Sequence, residues 1–251
     1  MKNRKCIVNI ACAMHQPSHK SEMHTQLLYG DTVIIEHELN QWAKIKTEDN
    51  LLDAWVLKSQ LQIIETNHTH HFILLPTTKN ISHPLHHFPL LAGSLFEKDE
   101  IENIFSESEK TLFSSYLKMN EAQAFSILHY FIHAPYMWGG TSIYGIDCSG
   151  LSKLFYKFFN IHLPHIAHAQ MQFGYVLDFL TNAKMGDLAF FENDENEIKH
   201  VGILLNNHEI IHASEYNGKV MIDNIDNEGI IHKKTGKRTH KLRLVKRIIK
   251  Y

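Results

Sequence analysis

The run YMWGGTSIYGIDCSGL, residues 136–151, is where this sequence concentrates chemistry. Gly139, Gly140 and Gly145 permit close backbone approach, and Cys148 falls at the first turn of an amphipathic helix. A thiol there meets the positive end of the helix dipole and unpaired amides, which favour thiolate and could also hold a developing oxyanion. A nucleophilic Cys needs a base and a group to orient it. His200, opening HVGILL, and His212, inside EIIHASE, are the candidates. If the two strands pair as a hairpin around Asn206 and Asn207, an odd-numbered loop puts both imidazoles on one sheet face, close enough to hydrogen-bond. Cys6 and Cys12 lie in an apolar stretch with no His nearby and read as structural.

Histidine is unusually abundant, with 20 copies. His162, His165 and His168 recur every third residue, and His68, His70, His71 and His83, His86, His87 form short clusters. None is accompanied by Cys or carboxylate ligands at zinc spacing, so solvated loops are expected rather than a metal site, and no cofactor is implied. Gly139-Gly140 lacks the Lys-Ser/Thr of a phosphate-binding loop.

The elements that must position these residues follow from the patterning. With 251 residues, 44% apolar and 21% charged, the composition is that of an ordinary globular chain with ample core. A net charge of −2 shows no nucleic-acid stripe, three cysteines are too few for a disulfide framework, and no apolar run reaches membrane-spanning length. Lys2, Arg4 and Lys5 precede the apolar CIVNIACAM, but that run is short and holds Asn9, which argues against a signal peptide and for a cytoplasmic protein.

Residues 6–13 read as a strand within an all-β region 1–64, a small barrel with Trp42 and Trp55 in its core. Residues 65–118 have no clear period and read as connecting β structure or a second incomplete barrel. Asn120 caps a helix whose apolar positions 124, 127, 128, 131 and 132 form a stripe ended by Pro135. Residues 149–159 form a buried helix through Leu151, Leu154, Phe155, Phe158 and Phe159. DLAFF, HVGILL, EIIHA, KVMI and HKLRLVKRII follow as strands, giving an α+β domain over 119–251 with helices ahead of an antiparallel sheet.

The segments YMWGG, IDCSGL, IHLP with Gln170, KMGDLAFF, KHVGILL and IIHAS, spanning 136–214 in order, resemble the NlpC-type cell-wall cysteine peptidases, a papain-like group. PSHKSEMHTQLLYGD and WVLKSQL are similar to the bacterial SH3-like domain attached to many of them. The resemblance implies a γ-D-glutamyl-L-diamino acid endopeptidase acting on peptidoglycan stem peptides, with Cys148 as nucleophile, His200 as base and His212 as the orienting third residue. It further implies that Tyr136, Trp138, Asp147 and Ser149 line a pocket for the terminal L-Ala amine of a free muropeptide, assisted by a Glu of the SH3-like domain, for which Glu22 is the candidate. Two positions depart from the pattern: Leu163-Pro164-His165 stands where Leu-Pro-Arg is usual, and DNLLD where an Asp-Gly-Tyr turn is expected. The rival readings are a binding module with a degenerate catalytic half, and an amidase or acyltransferase on the same fold.

Overall fold

The structure, a computed structural model, describes residues 3–47, 49, 51–64 and 71–248. The clusters' first members, His68 and His70, and Asn50 of DNLLD lie outside the described residues. The chain divides into two compact units, one of residues 1–117 with 157–161, the other of 118–156 with 162–251.

In the first unit, β1 (Asn3–Cys6), β2 (Ile10–Met14), β3 (Met23–Leu28), β4 (Thr32–Leu39), β5 (Trp42–Lys46), β6 (Asp53–Leu57) and β7 (Leu61–Ile63) form one antiparallel sheet in the order β3-β2-β6-β5-β4-β1-β7. All seven strands, or the turns beside them, feed a common core of Cys6, Ala11, Ala13, Leu27, Val33, Ala43, Ile45, Ala54, Val56 and Leu61, so the sheet curls around it as a small barrel. The strand expected over 6–13 is broken in two, because Asn9 turns the chain and its Oδ1 accepts the Ile10 N–H at 2.9 Å. Trp42 is buried as expected, whereas Trp55 does not build the barrel core. In DAWVL the period of two points Ala54 and Val56 inward, which sends Trp55 to the outer face beside His37, while Trp42 packs against His19. The same alternation buries Ala11 and Ala13 and exposes Cys12, which therefore is not a core cysteine.

Residues 71–114 add a three-stranded sheet, β10-β8-β9, made of β8 (His71–Leu74), β9 (Leu95–Glu97) and β10 (Phe113–Ser114). Two short helices lie between β9 and β10: α1 (Lys98–Ile104) and α2 (Glu107–Lys110), each begun by a capping box. Strands of two to four residues are too short to show a period, which is why this region reads poorly from sequence.

The second unit opens with α3 (Glu121–Tyr130), whose N-cap Asn120 accepts the Gln123 N–H at 2.9 Å as the sequence indicates. A two-stranded hairpin, β11 (Thr141–Ser142) and β12 (Gly145–Ile146), delivers the chain to α4 (Cys148–Lys157), which buries Leu151, Leu154 and Phe155 on one face. After α5 (Ala167–Gln170) come β13 (Tyr175–Leu177), β14 (Leu188–Glu192), β15 (Ile198–Leu204), β16 (Glu209–Ser214), β17 (Lys219–Asp226), β18 (Gly229–Ile231) and β19 (Arg238–Arg247). They run in the order β13-β19-β14-β15-β16-β17-β18, and β19 also pairs with β18, so β14–β19 close on themselves. The whole is an α+β chain with a small all-β barrel ahead of the helices and the large sheet. None of the described helices is long and apolar enough to cross a membrane.

Candidate active site

Asp147 is the N-cap of α4. Its carbonyl accepts the Leu151 N–H at 2.9 Å, and its Oδ1 accepts the Gly150 N–H at 2.6 Å and the Ser149 hydroxyl at 3.1 Å. Its Oδ2 accepts the Gly139 N–H at 2.7 Å and faces His165 Nε2 at 3.0 Å. One carboxylate thus fastens the glycine turn, the helix start and the loop after α4 together. Gln170 secures the same loop, donating to the Ser149 and Pro164 carbonyls at 2.9 and 2.8 Å and accepting from Ser152 Oγ at 2.6 Å. Gly150 is required here because a Cβ would stand 2.0 Å from the Gly140 carbonyl oxygen.

Where the resemblance expects an arginine, Asp147 meets a neutral His165. Burial holds the His165 imidazole below its ordinary value, against the pull of Asp147. Burial acts to raise the Asp147 carboxyl, but the bonds from His165, Gly150 and Gly139 outweigh it and keep the carboxylate ionised. A neutral His165 therefore donates Nε2–H where an arginine would bring a full charge. Of the three-residue-spaced histidines, His165 is buried, while His162 and His168 are exposed. Among the described residues no His, Cys, Asp or Glu group of three or more has metal-binding geometry.

Cys148 starts α4 and is buried. Its thiol is not the thiolate that the helix start alone suggests. Burial pushes it up to about 12, the adjacent Asp147 carboxylate adds to this, and the N–H groups of Val201, Ser149 and Cys148 itself only partly offset it. At neutral pH the group is a thiol that must give its proton to a base as it reacts. The Val201 N–H on the sulfur comes from the residue after His200, which brings β15 to Cys148.

Strands β15 and β16 pair antiparallel with Ile203 opposite Ile211, so the sums of paired positions are even, as the hairpin argument requires. His200 and His212 share a face, with His200 Nε2 2.9 Å from His212 Nδ1 and the rings edge to face. Between them the strand carries Gly202, where a Cβ would come within 3.2 Å of the His212 Cβ and closer still to Ile210. Burial, with the neighbouring imidazoles of His240 and His212, holds His200 well below its ordinary value, so it is a neutral base at pH 7.

Tyr136 is half-buried beside this group; burial foremost, then the negative carboxylates of Glu215 and Asp147, raises its hydroxyl and keeps it a neutral phenol. Ser149 is buried on Asp147, and Trp138 is 59% exposed. Glu22 belongs to the first unit, in the turn between β2 and β3, where its carbonyl accepts the His15 N–H at 3.0 Å. Two further residues were not signalled by any motif. Asp223 on β17 lies 3.2 Å from His212 Nε2, and His240 on β19 stacks on His200 with ring centroids 4.2 Å apart.

Three neutral histidines around one site make stability depend on acid. His165 and His200 are lowered, and His240 is lowered to about 4 by burial and by His212. The unfolded chain takes up these protons near pH 6.5 and the folded one does not, so stability is fully present above pH 6.5 and is lost as pH falls below it. His240 alone contributes a loss of about 3 kcal/mol by pH 4. Thermal unfolding should therefore show a midpoint that drops steadily between pH 6.5 and 4; a flat midpoint would contradict the buried neutral rings.

The family model described as the NlpC/P60 family matches residues 133–239. The chain is 24% identical over 214 residues to a gamma-D-glutamyl-L-lysine dipeptidyl-peptidase of Bacillus subtilis, covering 76% of this chain and 72% of that protein. It is 34% identical over 131 residues to a probable endopeptidase NlpC homolog of Haemophilus influenzae, covering 52% of this chain and 67% of the relative. The crystal structure of an NlpC/P60 family protein from Bacillus cereus superposes with a TM-score of 0.77 over 98% of this chain and 99% of that one, at 18% identity, which is a likeness of fold.

Proposed function

The chain belongs to the NlpC/P60 family and is a cysteine peptidase, and from that premise we propose that it hydrolyses the γ-D-glutamyl-L-diamino acid bond of free peptidoglycan stem peptides. The observation that carries this reading is the buried Cys148 at the start of α4 with His200, on the strand that reaches its sulfur, hydrogen-bonded to His212 on the next strand. The name of the Bacillus subtilis relative supports the bond type.

In this mechanism the Cys148 Sγ attacks the γ-carbonyl carbon while its proton passes to His200 Nδ1, the nitrogen not engaged by His212. The oxyanion forms beside the N-terminal amides of α4, whose dipole favours negative charge. Collapse of the tetrahedral intermediate expels the diamino acid's amine, which takes the proton from His200, and leaves a γ-D-glutamyl thioester on Cys148. Water then gives a proton to His200 and attacks the thioester; the C–S bond breaks, the γ-carboxyl product leaves, and the proton on His200 returns to the sulfur, regenerating the thiol.

We place Tyr136, Trp138, Asp147 and Ser149 in the amine pocket. A free L-Ala amine is a cation at neutral pH, and a pocket that buries it needs compensating carboxylate charge. Such an enzyme would trim released muropeptides rather than intact wall, a recycling role suited to the cytoplasm. L-Ala-γ-D-Glu-diaminopimelate should thus be cut to L-Ala-D-Glu and the diamino acid, at a rate at least about tenfold above its N-acetyl form. Equal rates would refute the amine pocket and leave the peptidase assignment standing, whereas no cleavage of either would favour a binding module.

A further inference from the structure

We propose that Asp223 is a positioning residue that fixes the tautomers of His212 and, through it, of His200, leaving His200 Nδ1 unprotonated to receive the Cys148 proton. This rests on the reading of Cys148 and His200 as nucleophile and base, and adds a fourth member behind them.

Asp223 is buried, its Oδ2 lies 3.2 Å from His212 Nε2, and its Oδ1 accepts the Lys233 N–H at 2.9 Å. An ionised carboxylate only accepts, so His212 must carry its proton on Nε2. His212 Nδ1 is then an acceptor, and the group 2.9 Å from it, His200 Nε2, must be the donor. A neutral imidazole with Nε2–H has its lone pair on Nδ1, and that is the atom the proton transfer requires. Without an acceptor-only group at the far end, His212 would be free to turn its hydrogen towards His200, and His200 would then hold its proton on the wrong nitrogen.

Among the described residues, the groups facing these rings offer no competing partner. His240 from β19 stacks flat on His200, at 25° between planes, and meets His212 edge-on, so it holds the His200 ring plane without bonding its nitrogens. Phe191 from β14 packs on His200 at 5.7 Å. His232, beyond β18, is the remaining titratable ring near Asp223, and its Nδ1 is occupied by the N–H and hydroxyl of Thr235.

Asp223→Asn tests the assignment, because the isosteric amide must keep Oδ1 on the Lys233 N–H and so presents its NH2 to His212. That donor reverses the chain, forcing His212 and then His200 into the Nδ1–H form. Imidazole 15N–1H correlation spectra, assigned with single His→Gln variants, should show Nε2–H on both rings in the unaltered protein and Nδ1–H on both in Asp223→Asn. Turnover of L-Ala-γ-D-Glu-diaminopimelate by the variant should fall about 100-fold or more in kcat, with KM within about threefold. A proton on Nδ1 of either ring in the unaltered protein, unchanged tautomers in the variant, or a kcat within about threefold of the unaltered protein would each overturn the proposal. The spectra of the unaltered protein answer even if the variant folds poorly. If Cys148→Ala retained turnover, the peptidase reading would fall instead, and the tautomer result would stand apart from it.

Discussion

Replacing Cys148 with Ala should lower turnover of L-Ala-γ-D-Glu-diaminopimelate by about a thousandfold or more while the chain still folds. The effect is large because no other group can form the thioester: Cys6 is buried in the barrel of the first unit with its thiol pushed up to about 12, and Cys12 lies on that barrel's outer face. The fold should survive, since loss of one sulfur from a helix start disturbs no cap: Asp147 accepts from Gly150, Ser149 and Gly139, not from Cys148. Steady-state assays beside a thermal unfolding midpoint check both halves. Undiminished turnover would remove the covalent mechanism altogether. Cys148→Ser is expected to remain close to the Ala variant, because His200 would face an alcohol even harder to deprotonate than the buried thiol.

His200→Ala should cost nearly as much, about a thousandfold, and distinctly more than His212→Asn. The thiol of Cys148 is held protonated by burial and by Asp147, so reaction requires a proton acceptor in contact with it, and Ala offers none. Asn at 212 can still accept from His200 Nε2 through its carbonyl oxygen and so orient the ring, although it cannot be polarised by Asp223 in the same way. The pH dependence carries the same signature. Because His200 is depressed well below 6.5, the acid limb of kcat/KM should lie below pH 6.5 rather than at the value of a solvated imidazole. An acid limb at or above 6.5, or equal losses in the two variants, would mean that His200 is not the base.

Much of this site was legible because it is local. The cap, the glycines and Cys148 sit within Gly139–Gly150, and their meaning follows from what a helix start needs: a capping oxygen, free amides and room for close approach. The face shared by His200 and His212 was also accessible, since the parity of an antiparallel register depends only on the number of loop residues between two strands. The helices at Glu121–Tyr130 and Cys148–Lys157 announced themselves by their apolar period. Trp55 was misplaced in the barrel because an aromatic's bulk was weighed above the alternation of its own strand, which had already assigned the inward positions to Ala54 and Val56.

What the sequence by itself determined, then, is the order of elements outside 65–118, a cysteine at a helix start and two imidazoles on one sheet face. The tertiary structure decided how those groups are tuned. Asp223 reaches His212 from a different strand, His240 stacks on His200 from the last one, and His165 returns to Asp147 across a loop and a turn of helix. Each of these depends on a register or closure that no local spacing encodes. The protonation states follow the same division. Dipole and sequence neighbours argue for a thiolate at Cys148, but the desolvation that keeps it a thiol, and keeps His200 neutral, is a property of all the chain packed around them at once.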